Sequence, residues 1–122
     1  MTRQQLDEYI SGEYGIEKDF PFEEQNIYVF RHKDNRKWFA LVMEISAEKL
    51  GGEQTNIWVV NIKCDPILKA GFLSQQGIYP AYHMSKEHWL TIRLDEANEK
   101  DIETLISISF DLTAKKYKKR SA

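Results

Sequence analysis

The sequence predicts a small α+β domain: an antiparallel β-sheet with helices packed on one of its faces. Three observations carry that expectation. Four segments, Asn26 to Arg31, Lys37 to Met43, Ile57 to Lys63 and His88 to Leu94, are rich in aromatic and branched residues, the types that fit a pleated, half-buried surface. The first two flank His32-Lys33-Asp34-Asn35-Arg36, a polar turn with Asp-Asn at its tip, which predicts a hairpin. Three further segments open on helix-capping residues and repeat apolar residues at helical spacing. Strands joined by hairpins form an antiparallel sheet, and an alternating apolar face needs helices over it.

In chain order, Thr2 to Tyr14 reads as a first helix. Thr2 caps it, Gln5 completes a capping box, and Leu6, Tyr9 and Ile10 form one apolar stripe. Gly12 and Gly15 bracket its end. Glu17 to Gln25 is acidic and holds Phe20-Pro21-Phe22; the proline makes it an extended connection, with the two rings expected as anchors onto the core. The hairpin follows. Glu44 to Asn56, with Gly51-Gly52, reads as a longer connection. In the third strand Trp58, Val60 and Ile62 share one face, and Ile57, Val59, Asn61 and Lys63 the other. Asp65-Pro66 starts a helix with Ile67, Leu68, Phe72 and Leu73 as its buried stripe and Gly77 at its end. In the fourth strand Leu90, Ile92 and Leu94 alternate against Trp89, Thr91 and Arg93. Asn98 caps the last helix, Asp101 suits its positive end, and Ile102, Leu105, Ile106, Ser109 and Leu112 keep a 3.6-residue period. The lysines beyond suit the negative end of its dipole. The sheet face away from the helices is expected to be partly open, carrying Arg31, Asn61, Lys63, Trp89, Thr91 and Arg93.

The 122 residues amount to one domain, 1–122, with a basic tail from about residue 115. A chain this long can bury a real core. The single cysteine rules out an internal disulfide and fits a reducing compartment. Met1 to Asp7 has no apolar run of the signal-peptide kind, and no apolar segment nears the roughly 20 residues that span a bilayer. A cytoplasmic monomer is therefore expected, with no membrane partner. Net charge is −2, but unevenly spread. Without the five cations from Lys115 onward, 12 basic residues face 19 acidic ones. Affinity for phosphate comes from clustered Lys and Arg, so any nucleic-acid contact must rest on local clusters.

Asn61-Ile62-Lys63-Cys64-Asp65-Pro66, Gly77-Ile78-Tyr79-Pro80-Ala81-Tyr82-His83 and Lys86-Glu87-His88-Trp89-Leu90-Thr91-Ile92 together resemble the MmcQ/YjbR family. Lys37-Trp38-Phe39-Ala40 and Leu105-Ile106-Ser107-Ile108-Ser109-Phe110 add to the likeness, which runs to about Lys115. The resemblance implies a CyaY-like fold and a DNA partner gripped by a double-wing arrangement of β-hairpins.

The residues that suit such contact are Arg31, His32, Lys33, Arg36 and Lys37 in the hairpin, with Lys63, Lys86 and Arg93 around Trp89 as a cationic and aromatic patch. Basic residues neutralise phosphates and aromatic faces stack on unpaired bases. The bland readings are a solvated hairpin whose charges discourage aggregation and a tryptophan at the rim of the core. The alternative function is a protein- or small-ligand-binding module using the open sheet face and the Tyr79 to His88 loop. Catalysis is not expected. His32, His83, His88 and Cys64 match no standard zinc spacing, although Cys64 beside a helix start is the one candidate nucleophile. No phosphate loop or nucleophile elbow is present. Asp7, Glu8, Glu13, Glu17 and Asp19 offer oxygen ligands for a hard cation of the frataxin kind, but such acidic faces usually serve solubility. No cofactor and no metal are expected.

Overall fold

A computed structural model describes residues 1–115. The helices are α1 (Arg3–Tyr14), α2 (Pro66–Leu73) and α3 (Glu99–Thr113), and the strands are β1 (Ile27–Arg31), β2 (Trp38–Ser46), β3 (Asn56–Lys63), β4 (Ile78–Pro80) and β5 (Trp89–Arg93). They form one sheet in the order β1-β2-β3-β5-β4, antiparallel throughout. The helix-backed antiparallel sheet expected from the sequence is what the chain forms. Beyond Lys115, the basic tail lies outside the described residues.

The helix starts follow the sequence closely. Thr2 Oγ1 accepts from Gln5 N and Gln5 Oε1 accepts from Thr2 N, the reciprocal capping box. Asp65 caps α2 through Ile67 N, and Asn98 caps α3 through Asp101 N. Against the sheet face under the helices, Leu6 and Ile10 of α1 and Ile102, Leu105 and Ile106 of α3 pack on Tyr28, Phe30, Val42, Val60, Ile62, Leu90 and Ile92. All of these are buried, and this is the main core.

Four expectations are corrected. The sheet has five strands rather than four: β4 was hidden because only three residues pair and one is Pro80, which is tolerated because β4 is an edge strand. In α2, Ile67 is 86% exposed and Leu68 is 48% exposed. The inward stripe is Lys69, Phe72 and Leu73, with the Lys69 stem lying inward while its amine reaches the carbonyls of Lys86 and Glu87. That helix ends at Leu73 with Ser74 as its cap; Gly77, at φ 81°, instead turns the chain into β4. In α3 the stripe closes on Thr113, buried, rather than Leu112, and its last turn holds no basic residue.

The second sheet face differs most from expectation. Val29, Leu41, Met43, Ile57 and Val59 line it, and Ala47 of a short 3-10 turn (Ala47–Leu50) completes a second buried cluster. Leu50, Tyr82 and Met84 pack over that cluster. The face is thus roofed in its middle. Asn61 and Thr91, expected near solvent, are fully buried because they hold the roof. Thr91 Oγ1 donates to Asn61 Oδ1 (2.5 Å) and accepts from Tyr82 N (2.8 Å), while Asn61 Nδ2 donates to Tyr82 O (2.8 Å). Two buried polar side chains are tolerable only when satisfied. Here they satisfy each other and the backbone of one loop residue.

Phe20 and Phe22 also sit differently from expectation. Their rings rest on Tyr28 and Trp38 from outside and stay partly exposed. Between them and α1, Asp19 exchanges both backbone hydrogen bonds with Val29, covering an otherwise open strand edge.

Candidate functional site

The end of the sheet where the β1–β2 hairpin turns gathers most of the predicted residues. The turn closes through His32 N donating to Lys37 O and Arg36 N donating to His32 O. Asp34 accepts from Asn35 N, Asn35 accepts from Lys37 N, and Arg36 adopts φ 66°. Asn and Asp side chains bonding their own backbone are what make such a turn.

The hairpin is not a free arm. His32 is only 5% exposed, its ring packed against Phe39 and Phe110, which also touch each other. Its Nε2 lies 2.8 Å from Thr113 Oγ1 and 3.1 Å from Phe110 O. Thr113 donates its own proton to Ser109 O, so His32 Nε2–H is the donor to both acceptors. Asn35 Nδ2 donates to Thr113 O. Two side chains of the hairpin therefore bond the carbonyls of Phe110 and Thr113, which the end of α3 leaves without an intrahelical N–H. His32 belongs to this joint and presents no ring to a surface ligand.

Strand register decides what lies beside the hairpin. β2 carries a bulge: Phe30 faces Ala40 but Arg31 faces Trp38. Phe39 is the extra residue. It turns to the main core, and Trp38 turns to the second face. On the neighbouring pair Lys63 faces Trp89. Arg31, Trp38, Lys63 and Trp89 thus cross the same end of the second face on four successive strands, a row about 15 Å long from the usual strand spacing. Lys33, Arg36 and Lys37 stand just beyond it, exposed. Trp38 was missed as a site residue, since simple alternation across the bulge hides its facing. The signal available was its position at the root of a basic hairpin.

The electrostatics are local. The cations Arg31, Lys33, Arg36, Lys37 and Lys63 stand with Asp34 in the turn and Asp19 on the neighbouring strand edge. Asp19 is shared by Arg31 (2.7 Å) and Arg36 (3.8 Å). Arg31 Nε is buried without a hydrogen-bond partner among the described residues. The side chains of Lys33, Lys37 and Lys63 carry no recorded ion pair there.

Two predicted residues fall elsewhere. Arg93 sits four residues along β5 from Trp89, about 13 Å away. It donates Nε to Asp95 (2.7 Å) and Nη2 to Glu53 (2.9 Å). Those hydrogen bonds raise its own pKa and lower those of Asp95 and Glu53, so it is neutralised in place. Lys86 donates to Ala81 O at 2.7 Å and lines a cleft under the Ala81–Met84 loop.

The candidate nucleophile is spent on packing. Cys64 is buried in the main core, and burial, followed by the Asp65 charge, pushes its thiol pKa up. Of the acids on and just beyond the first helix, Asp7 bonds Tyr28 OH and Lys18, and Glu17 bonds Ser11. Among the described residues no group of three acids, histidines or cysteines converges to hold a metal ion. No helix there is long and apolar enough to cross a membrane.

Fold and site together define a helix-backed antiparallel sheet domain with one basic, tryptophan-lined sheet end. The chain belongs to the YjbR family, whose model matches residues 12–112. The uncharacterized protein YyaQ of Bacillus subtilis (strain 168) is 37% identical over 116 residues, which is 93% of this chain and 98% of that protein. A crystal structure of a Pseudomonas syringae protein superposes with TM-score 0.90 at 44% identity, covering 93% of this chain and all of that one. A solution NMR structure from the same organism gives TM-score 0.87 at 41% identity over the whole of both chains. A Deinococcus radiodurans protein shares the fold at TM-score 0.55 and 23% identity, over 80% of this chain and 67% of its own.

Proposed function

We propose that the protein is a non-catalytic nucleic-acid-binding module that holds DNA at the hairpin end of its sheet. The observation that carries this reading is the convergence of Lys33, Arg36 and Lys37 with the Arg31–Trp38–Lys63–Trp89 row. In an otherwise acidic body, this is a local cationic surface with aromatic rings in it. Phosphate neutralisation by the lysines and Arg36 supplies affinity. Positioning on the backbone dominates over base readout, because among the described residues no helix presents Arg, Asn or Gln toward this end in the manner of a recognition helix. The docking of His32 and Asn35 onto α3 makes the hairpin a fixed ridge, which lowers the ordering cost of binding.

The module acts as a monomer in the cytoplasm in this reading. The test is fluorescence anisotropy of labelled duplex and single-stranded DNA across salt concentration. Four engaged cations predict a log–log slope of about −3 to −4. No binding at low salt, where electrostatics are strongest, contradicts the reading.

A further inference from the structure

We infer a second site, under the Ala81–Met84 loop, for a small organic anion carrying one flat ring. Two clefts of about 240 and 270 Å³ adjoin there and share Lys49 and Tyr82. The first is walled by Leu50, Tyr79, Pro80, Ala81 and Tyr82, with Lys49 and Lys86 as its charged residues and no acid. The aromatic and proline surfaces suit a planar ring, and the two amines suit a phosphate or carboxylate beside it.

The loop is held as a built site is held. Its position is fixed from below by the fully buried Asn61–Thr91 pair, which bonds both backbone groups of Tyr82. Apolar contact alone would roof the sheet; a satisfied buried network specifies one loop position. The next residue, His83, is held at φ 63° with its ring 3.9 Å from the Tyr82 ring, centroid to centroid. A non-glycine residue there stores strain that the surroundings must impose, and such strain concentrates at ligand sites. Lys49 has no hydrogen-bond or ion-pair partner recorded among the described residues, so its charge is available, and Lys86 is oriented by its bond to Ala81 O. Among the described residues lining the two clefts, Glu44 of the second is the one acid.

The hairpin surface plays no part in this inference, so it stands or falls separately from the proposed function. The experiment titrates adenosine monophosphate, adenosine and benzoate into the full chain and follows amide shifts by NMR, with Lys49→Gln alongside. Saturable shifts confined to residues 49–50 and 79–86, with adenosine weaker than its monophosphate and affinity falling about two- to fivefold in Lys49→Gln, support the site. Benzoate separates the two sources of such an anion: equal binding marks a general aryl-anion cleft, and its failure marks a nucleotide cleft. Absence of saturable shifts there up to about 10 mM, or an unchanged affinity in Lys49→Gln, overturns it.

Discussion

The hydroxyl of Ser109, from α3, accepts the backbone N–H of Lys63 at 2.8 Å. The same oxygen donates to the carbonyl of Phe39 at 2.7 Å. The β2–β3 register pairs Leu41 with Asn61; two steps on, it would set Phe39 against Lys63. A helix side chain therefore stands where a ladder hydrogen bond would otherwise close, and it fixes the strand end that carries Lys63 and, across from it, Trp89. Ser109→Ala leaves two buried backbone groups unsatisfied. It should cost about 2–4 kcal/mol, read as a lowered urea midpoint with unchanged slope. A loss below about 0.5 kcal/mol would mean that the strands close on their own.

The joint between hairpin and helix predicts a second loss. His32→Ala removes the donor to Phe110 O and Thr113 Oγ1 and leaves a cavity beside the Phe39 and Phe110 rings. The expected cost is about 2–4 kcal/mol, with faster amide hydrogen exchange at Lys33 to Lys37. Unchanged exchange there would show that the turn is held by its own bonds alone.

Gly77 predicts a backbone failure. It sits at φ 81°, and a Cβ would lie 2.4 Å from Ala97 N. Gly77→Ala should destabilise by about 2–4 kcal/mol, combining left-handed strain with overpacking against backbone that cannot move aside. Thermal unfolding measures this directly, and a wild-type midpoint would contradict it.

Much of this was legible beforehand. Thr2, Asp65 and Asn98 cap where their residue types and spacing indicated, since capping is local chemistry. The two faces of β3 and β5 followed from alternation alone. What was hidden depends on contacts distant in sequence. The bulge at Phe39 resets the facing of Trp38, and the loop clasp at Tyr82 buries Asn61 and Thr91. Neither leaves a mark in local periodicity. His32 looked like a surface cation because its neighbours are charged. Its acceptors lie 78 and 81 residues away. Arg93 likewise belonged by type to a basic patch, but Glu53 and Asp95 claim it.

That Arg93 cluster sets a pH dependence. Its hydrogen bonds hold the Glu53 and Asp95 carboxyls below their ordinary values. Groups depressed in the folded state contribute stability above their unfolded pKa values, about 4, and lose it as pH falls through the folded ones. Arg93→Gln should therefore differ most from wild type at neutral pH. The gap should narrow as pH drops from about 5 to about 2. Urea midpoints measured across that range check it; a constant gap would assign the effect of Arg93 to packing.

The most direct measurement of the proposed function is DNA affinity at low salt in two variants of equal charge change. Lys33→Glu/Lys37→Glu alters the hairpin, and Lys18→Glu/Lys100→Glu alters exposed lysines elsewhere on the molecule. Fluorescence anisotropy should show the hairpin pair weakened by about 30-fold or more, with a salt slope shallower by about 2. The control pair should stay within about threefold of wild type. Equal weakening in both variants would contradict a localised hairpin interface, leaving only the overall charge of the protein in play.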